Sequence, residues 1–247
     1  MVHNPSRPSI IVLSSPSGGG KTTQRRLLMK DHPEREFLIS YTTRLPRFDE
    51  ADGVDYHFLI LPYLAQGMDV HAAKAAADAE FQRLVDRGDV IFEHTSLYGN
   101  RYGTPRKQLE EGLAAGKQLM ADVNLEGLNA FRRAYPGKVR GIFLMPPSLE
   151  VIGQRLNNRI DEEKPKTEAA RAAIEADIVQ RLRQAPAIMR EGRFYDDVVS
   201  QKGNGPQQTA AKVQQALALP ATNVDSTARH YFGRCKMSGQ GTLNHPM

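Results

Sequence analysis

Short apolar runs alternate with amphipathic segments along the first part of the chain, an order typical of strands and helices that follow one another. Residues 9–14 contain a continuous apolar run and predict a buried strand. After a glycine-rich loop, a helical pattern continues to about residue 31, where His32-Pro33 ends it. Phe37–Ser40 predicts a second short strand.

The same alternation returns in the second half of the chain. Gly141–Met145 predicts a buried strand, and a helix is expected to begin at Ser148, after two prolines. Asp197–Ser200 predicts a short last strand, and Gln208–Leu219 predicts a helix. Strands that alternate with helices predict an α/β fold with a parallel sheet flanked by helices. Ligands of such sheets bind at the carboxyl ends of the strands.

The loop after the first strand has the composition of a phosphate site. It consists of Ser15, Pro16, Ser17, Gly18, Gly19 and Gly20, followed by Lys21, Thr22 and Thr23. Loop N–H groups and a helix N-terminus point at one spot and bind anions, and glycines let the backbone wrap a phosphate. In such a P-loop, Lys21 reaches the β- and γ-phosphates of ATP and the Thr22 hydroxyl ligates Mg²⁺.

One position departs from the P-loop pattern. G-x-x-x-x-G-K-[ST] begins with a glycine, and this chain has Ser15 there. The alternative is a serine- and glycine-rich turn in which Lys21 and Thr22 follow by chance. We favour the phosphate site because Gly18–Gly20 precede the lysine between a predicted strand and a predicted helix.

Composition narrows the class of protein and its partners. The chain has 247 residues, 40% of them hydrophobic and 25% charged, and a formal net charge of +5, as in a globular protein with anion sites. It has no dense basic stripe interleaved with aromatic residues, so nucleic acid is not expected. No apolar run reaches membrane-spanning length, and the single cysteine, Cys235, fits a reducing cytoplasm. Residues 1–8 predict a flexible leader, and 220–247 predict a disordered tail.

A second group of phosphate-binding side chains follows the second predicted strand. Arg44 and Arg47 flank a Leu-Pro turn, and Tyr56 follows a little further on. Arginine binds phosphate groups through two parallel hydrogen bonds. Two isolated arginines at a turn are more often surface residues. Beside a P-loop they become candidates for a second anion site, because a phosphoryl-transfer enzyme must also hold its acceptor.

A more specific pattern extends over most of the chain. Its segments occur in the order Ser40–Arg47, Gly53–Tyr56, Asp89–Thr104 and Gly116–Gly127, followed by Arg155, Arg159 and Arg181. With the P-loop, they resemble the guanylate kinase family from about residue 8 to 200. The resemblance implies a P-loop NTPase-type parallel sheet within a domain at 9–219. It also implies a GMP-binding subdomain at about 37–104 and a helical lid at about 155–181.

The resemblance implies an acceptor site for GMP. Arg44 and Arg47 would hold its phosphate, helped by the hydroxyl groups of Tyr56 and Tyr102. Glu93 would select the base, because a carboxylate accepts from guanine N1–H and N2–H₂, whereas adenine N1 is only an acceptor. The remaining candidates for this site are Ser40 and Thr104, at guanine O6, and Asp122.

The resemblance also implies direct phosphoryl transfer from ATP with Mg²⁺, for which Thr22 is the candidate protein ligand. Positive side chains would neutralise charge on the transferring group, and a closing lid would exclude water. The candidate catalytic residues are Lys21, Arg44, Arg155, Arg159 and Arg181. The alternative for the lid arginines is a position on a solvent-facing turn of a helix.

Several positions depart from the family. Segments near 64–79 and 161–177 look inserted. The first is alanine-rich and predicts a helix, and both are expected outside the core because they are small or polar. Asn124 stands where the family often has a second acidic residue, and 200–204 replaces an Asn-Asp turn near adenine. Together with Ser15, these departures predict a difference in ATP handling and lid closure.

Two other functions stay open on the sequence. A related phosphotransferase acting on a phosphorylated ribose would not need Glu93 or Thr104. A catalytically weak guanylate kinase-like binding module would be expected to lose the P-loop lysine and the phosphate arginines, whereas Lys21 and Arg44 are present. The sequence also leaves open whether the protein is a monomer or a homodimer.

Overall fold

The structure is a computed structural model, and it describes residues 8–95, 99–163 and 167–219. Most of the predicted leader and all of the predicted tail at 220–247 lie outside these residues. The strands are β1 (Ile10–Ser14), β2 (Arg35–Phe37), β3 (Tyr41–Thr42), β4 (His57–Phe58), β5 (Val90–Thr95), β6 (Arg101–Pro105), β7 (Gln118–Asp122), β8 (Val139–Met145) and β9 (Asp197–Ser200). The helices are α1 (Lys21–Met29), α2 (Leu61–Ala65), α3 (Val70–Asp86), α4 (Arg106–Ala114), α5 (Leu125–Ala134), α6 (Leu149–Glu163), α7 (Glu168–Glu191) and α8 (Pro206–Ala218).

Five strands form a parallel sheet in the order β2-β7-β1-β8-β9. β1 lies at its centre and is buried along its whole length, with apolar clusters on either side that include helix residues. The predicted α/β fold with a parallel sheet flanked by helices is therefore confirmed. Leu13 pairs with Asp122 in register, so the P-loop begins beside the carboxyl end of β7.

The predicted strand at Phe37–Ser40 lies closer to the N-terminus in the structure. β2 ends at Phe37, and the next residues cross from the large sheet to the small one. The Leu38 N–H donates to the Met120 carbonyl, whereas the Ser40 carbonyl accepts from the His57 N–H, both at 2.9 Å. The apolar segment therefore joins two sheets in turn.

The second sheet has four short strands in the order β4-β3-β6-β5. β3 pairs in parallel with β4, and the other two pairs are antiparallel. The α3 side chain Phe81 packs tightly on this sheet, since a Cβ at Gly103 of β6 would lie 2.8 Å from its ring. Apart from Pro105, this sheet and α3 lie within the segment 37–104 that the resemblance assigns to GMP binding.

The expectation that the segment 64–79 lies outside the core is wrong. Most of it belongs to α3, a single continuous helix. Ala73 and Ala77 are fully buried and cluster with Ile60. Together with Phe81 they repeat every four residues and form one buried stripe. Their small side chains allow close packing of the helix, so alanine content does not indicate exposure here.

The second inserted segment lies where α6 and α7 pack against each other. Most of the described side chains of 161–177 are exposed, as expected, but Ile174 is half-buried at the edge of the main core. The two helices contribute Leu156 and Ile178 to that core. Among the helices of 8–95, 99–163 and 167–219, none is both long and apolar enough to cross a membrane.

Candidate active site

The loop between β1 and α1 has the backbone of a tight anion-binding turn. Gly18 and Gly20 have positive φ angles of 75° and 84°, which glycine adopts without strain. Ser15 is buried, and its hydroxyl donates to the Pro16 carbonyl over 3.0 Å. A Cβ at Gly19 would lie 2.3 Å from the Ser15 Oγ. The serine that departs from the P-loop pattern therefore fits inside the loop because residue 19 has no side chain.

The lysine that ends the loop lies between a carbonyl and a carboxylate. Lys21 Nζ donates to the Ser15 carbonyl over 2.9 Å and lies 3.7 Å from Asp122 Oδ1. Burial raises the pKa of the Asp122 carboxyl, and the positive charge of Lys21 opposes that change. The lysine is thus held at the carboxyl ends of β1 and β7, facing the space above the loop.

Three adjoining cavities of about 500, 440 and 280 Å³ lie above the P-loop. All three are lined by Ser17, Lys21, Tyr102 and Asp122. Most of the site residues predicted from the sequence line at least one of them: Ser15, Ser17, Gly18, Gly20, Lys21, Thr22, Thr23, Ser40, Arg44, Arg47, Tyr56, Tyr102, Thr104, Asp122, Arg155 and Arg181. The fold therefore brings the two predicted phosphate sites to one place.

The two arginines of the predicted acceptor site share a carboxylate that sequence reasoning missed. Arg44 makes a bidentate pair with Glu50, at 2.6 and 2.7 Å, and the same carboxylate accepts from the Arg47 N–H over 2.8 Å. The Arg44 guanidinium lies 4.9 Å from the Tyr56 ring centroid. Burial opposes ionisation of Glu50, but the hydrogen bonds from Arg44 lower the pKa of its carboxyl. In the sequence, the pairing was indicated by the position of Glu50, which follows Arg47 by three residues.

A second missed pair connects the acceptor loop to α1. Arg25 Nη2 donates to Asp55 Oδ1 over 2.6 Å, and Asp55 Oδ2 accepts from the Ala51 N–H over 3.1 Å. The Arg25 guanidinium also lies 4.1 Å from the Phe37 ring centroid. In the sequence, Asp55 belongs to the segment Gly53–Tyr56 that carries part of the family resemblance. Its pairing shows that the acceptor loop is attached to the same helix that begins at Lys21.

The structure differs from the sequence prediction at Glu93. Side chains alternate along β5, and Phe92 and His94 line the third cavity. Glu93 between them is not among the lining residues and forms an ion pair with Arg101 of β6 at 2.7 Å. The guanidinium of Arg101 stacks 4.4 Å from the centroid of the Phe81 ring. The structure therefore does not bring Glu93 to the cavities, and its contact with guanine stays a prediction.

Thr104 occupies the position that the sequence assigned to the base. It lines the third cavity together with Ser40. Its Oγ1 is buried and has no hydrogen-bond partner among the described residues. A buried hydroxyl without a partner is costly, and a polar ligand atom in this cavity would satisfy it.

Two of the predicted lid arginines contact the P-loop directly. Arg155 Nη1 donates to the Gly18 carbonyl over 3.1 Å. Arg181 Nη1 donates to Ser17 Oγ over 2.6 Å, and its Nε pairs with Asp177 at 2.5 Å. These contacts exclude the alternative that the two arginines lie on solvent-facing turns. The side chain of Arg159 lies outside the described part of the structure.

Asn124, which departs from the family pattern, begins α5. Its Oδ1 accepts from the Gly127 N–H over 3.0 Å, as an N-cap residue does. Its Nδ2 lies 3.4 Å from the His94 ring nitrogen Nδ1, at the wall of the second and third cavities. The residue therefore has a structural role that does not require a carboxylate.

The fold and these cavities define an α/β nucleotide-binding protein in which a P-loop faces a second, arginine-based anion site. Comparisons with known proteins give the family. The family model for guanylate kinase matches residues 7–184, well over half of the chain. The chain belongs to the guanylate kinase family.

Individual relatives agree with the family match. A guanylate kinase of Bartonella quintana (strain Toulouse) is 35% identical over 197 residues, covering 79% of this chain and 75% of the relative. A guanylate kinase of Gluconobacter oxydans (strain 621H) is 32% identical over 209 residues, covering 78% of this chain and 92% of the relative. The crystal structure of guanylate kinase from Anaplasma phagocytophilum is similar, with a TM-score of 0.60, 26% identity and 86% coverage of each chain.

Proposed function

We propose that this protein transfers the γ-phosphoryl group of ATP to GMP, and to dGMP, giving GDP or dGDP and ADP. The observation that carries the proposal is the first cavity, which is lined both by Lys21 and Thr22 of the P-loop and by Arg44 and Arg47. Phosphoryl transfer needs the two substrates in line and their negative charges neutralised, and it needs little other chemistry from the protein. A single cavity with a cationic group for each substrate meets that need.

The donor half consists of the P-loop and Lys21. Gly18 and Gly20 supply backbone N–H groups at the start of α1, whereas the Gly19 N–H donates to the Pro16 carbonyl over 2.9 Å and closes the turn. Lys21 supplies the charge for the terminal phosphates. Its hydrogen bond to the Ser15 carbonyl holds the ammonium group in the cavity.

The residues that line the first cavity suit a Mg²⁺ ion that is held largely by the nucleotide. No group of three or more His, Cys, Asp or Glu side chains able to hold a metal occurs in 8–95, 99–163 and 167–219. The exposed Thr22 lines the first cavity at the N-terminus of α1, and Asp122 lines the same cavity. Mg²⁺ commonly takes one or two protein oxygens plus phosphates and water, so Thr22 suits it. Bound there, the ion would supply positive charge that neutralises the phosphates.

The acceptor half uses an arginine pair whose charge is only partly compensated. Glu50 carries one negative charge between Arg44 and Arg47, so a net positive charge remains for the GMP phosphate. Tyr56 and Tyr102 line the same cavity, and their rings meet edge to face at 5.9 Å. Their hydroxyl groups are suited to donate to the phosphate.

For the base, Thr104 and Ser40 in the third cavity are suited to donate to guanine O6. Glu93 lies between two cavity-lining residues of β5, but its side chain pairs with Arg101 on the other face of the strand. Its contact with guanine would require that pair to open and β5 to turn the side chain toward the third cavity. Arg155 and Arg181, already at the P-loop, are suited to stabilise the transferring phosphoryl group when α6 and α7 close over the substrates.

The direct test is an acceptor panel with the full chain, ATP and Mg²⁺. GMP, dGMP, AMP, UMP and ribose phosphates are each supplied, and ADP formation is followed by a coupled assay. We expect turnover with GMP and dGMP only. Turnover with a phosphorylated ribose in place of GMP would favour the alternative phosphotransferase. Absence of ATP binding by calorimetry would favour a non-catalytic module.

Replacement of Arg44 tests the acceptor site. We expect Arg44→Ala to lower kcat/KM for GMP about 100-fold, because charge-assisted hydrogen bonds to the phosphate are lost. The KM for ATP should change little. The control is Arg87→Ala, which removes an exposed arginine paired with Asp89 at the surface. Equal kcat/KM for GMP in Arg44→Ala and the control would contradict the assignment of Arg44.

Replacement of Arg101 tests whether Glu93 selects the base. The pair is partly exposed, so opening it costs at most about 1 kcal/mol, or roughly fivefold in affinity. We expect Arg101→Gln, which keeps part of the stem over Phe81, to lower the KM for GMP by about that factor. AMP should remain a poor acceptor. If neither Arg101→Gln nor Glu93→Gln changes the KM for GMP, Glu93 does not contact guanine.

A further inference from the structure

The residue that follows the last strand connects the P-loop to a lid arginine. Gln201 is 6% exposed. Its Nε2 donates to the Gly19 carbonyl over 2.6 Å, and its Oε1 accepts from Arg155 Nη1 over 3.2 Å. The same Arg155 nitrogen donates to the Gly18 carbonyl. One buried amide therefore contacts both the phosphate loop and the guanidinium above it.

The backbone of Gln201 is fixed from both sides. Its N–H donates to the Met145 carbonyl over 2.9 Å, which extends the pairing of β8 and β9 by one residue. Its carbonyl accepts from the Asn204 N–H over 3.0 Å in the following turn. The side chain is thus presented from the edge of the rigid sheet, which is what positioning a second group requires.

The charge environment of Arg155 differs from that of the other site arginines. Arg44 is paired with Glu50 and Arg181 with Asp177. Among the described residues, the hydrogen-bond partners of Arg155 are neutral oxygens, those of Gly18 and Gln201. Burial lowers the pKa of Arg155, as expected for a guanidinium without a nearby carboxylate. Its full positive charge is therefore available to an anion in the first cavity, which it lines.

An amide is the side chain that can make both contacts without cancelling this charge. A carboxylate at position 201 would accept from Arg155, but it could not donate to the Gly19 carbonyl and would repel that oxygen at 2.6 Å. It would also neutralise Arg155 and add a negative charge beside the donor phosphates. The chain has Gln201 where the family resemblance places an Asn-Asp turn, so this arrangement belongs to one of its departures.

We propose that Gln201 is a positioning residue for the nucleotide donor. Its amide holds Arg155 against the P-loop without neutralising the charge of the guanidinium, which there binds a phosphate of the triphosphate. This inference rests on the proposed function in so far as the donor is ATP. It assigns Arg155 to donor binding before the lid closes.

The test compares two substitutions of similar size in the full chain. Gln201→Met removes both hydrogen bonds without adding charge, and Gln201→Glu adds charge. The Kd for Mg-ATP and, separately, for GMP are measured by calorimetry. We expect Gln201→Met to weaken Mg-ATP about threefold and Gln201→Glu about tenfold or more, with GMP affinity within about twofold of the parent. The matched control is Gln207→Glu, the same change at an exposed position of α8.

Coupling through Arg155 separates positioning from a structural effect. In an Arg155→Met background, Gln201→Met should cause no further loss of Mg-ATP affinity. Three results would each overturn the proposal. They are additive losses of Mg-ATP affinity in the double variant, equal losses of affinity for Mg-ATP and GMP, and a Gln201→Glu protein that binds Mg-ATP as tightly as Gln201→Met. GDP formation by the unsubstituted protein tests the proposed function separately. If the Mg-ATP affinities of the variants follow the expected order but the unsubstituted protein forms no GDP, only the proposed function is wrong. If the unsubstituted protein does not bind Mg-ATP, both proposals are wrong.

Discussion

Lys21→Met is expected to lower kcat/KM for GDP formation about 1,000-fold, roughly 4 kcal/mol of transition-state stabilisation. Lys21 lines all three cavities, and phosphoryl transfer depends on positive charge at the terminal phosphates. Methionine resembles the aliphatic part of the lysine side chain, so the start of α1 should be preserved. The measurement is the coupled ADP assay with GMP, together with thermal unfolding to check that the fold persists.

The matched control is Lys107→Met, at an exposed position of α4. It makes the same chemical change away from the cavities and should leave both turnover and stability unchanged. Because Lys21 also lies 3.7 Å from Asp122, its loss leaves that carboxylate without its nearest cation. If the Lys21→Met protein keeps its fold and still forms GDP at a rate within about tenfold of the parent, the P-loop assignment fails.

The strand, loop and helix around Lys21 were the part of the fold best predicted from the sequence. The apolar run before the loop, the glycines and the helical pattern after Lys21 all depend on local sequence, so they specify a strand, a turn and a helix independently of the rest of the chain. Ser15 is different. Its side chain fits in the loop because Gly19 has no Cβ, and the P-loop pattern does not specify that the two positions lie so close together.

Features that depend on two distant elements were predicted less well. Ala73 and Ala77 are buried because α3 packs close to Ile60, which alanine content does not reveal. Glu93 pairs with Arg101 because two neighbouring strands present these side chains to each other, whereas the family pattern concerns Glu93 alone.

Gln201 shows the same limitation on the donor side. The sequence indicated only that the family turn after the last strand is replaced. The two contacts of its amide, to Gly19 and to Arg155, join segments that are far apart in the chain. The expectation that this protein differs from its family in ATP handling stays a prediction, and these contacts give it a physical basis.

A buried ion pair joins β8 and β9 at the sheet edge that presents Gln201. Arg140 Nε and Nη2 donate to the Asp197 carboxylate at 2.6 and 3.1 Å, and the two side chains are 7% and 3% exposed. The remaining donors of Arg140 reach the carbonyls of Ala216 and Leu219 at the end of α8, at 2.9 and 2.8 Å. One guanidinium thus joins two strands and the last described helix.

Arg140→Met is therefore expected to lower the free energy of unfolding by about 3–5 kcal/mol. The substitution leaves Asp197 as a buried charge without its partner and removes the donors at the carboxyl end of α8. Urea unfolding followed by circular dichroism gives the midpoint and slope. The control is Arg132→Met, whose ion pair with Asp196 is about one-third exposed on its arginine side and should contribute at most about 1 kcal/mol.

A second substitution separates the two contributions of Arg140. Adding Asp197→Asn to Arg140→Met removes the buried negative charge and should recover part of the lost stability. Recovery should be incomplete, because the carbonyls of Ala216 and Leu219 still lack their donor. If Arg140→Met costs no more than Arg132→Met, burial does not make this pair important and the sheet edge is held by backbone pairing alone. If the double variant regains full stability, the helix contacts contribute nothing, and the cost of Arg140→Met comes entirely from the unpaired Asp197.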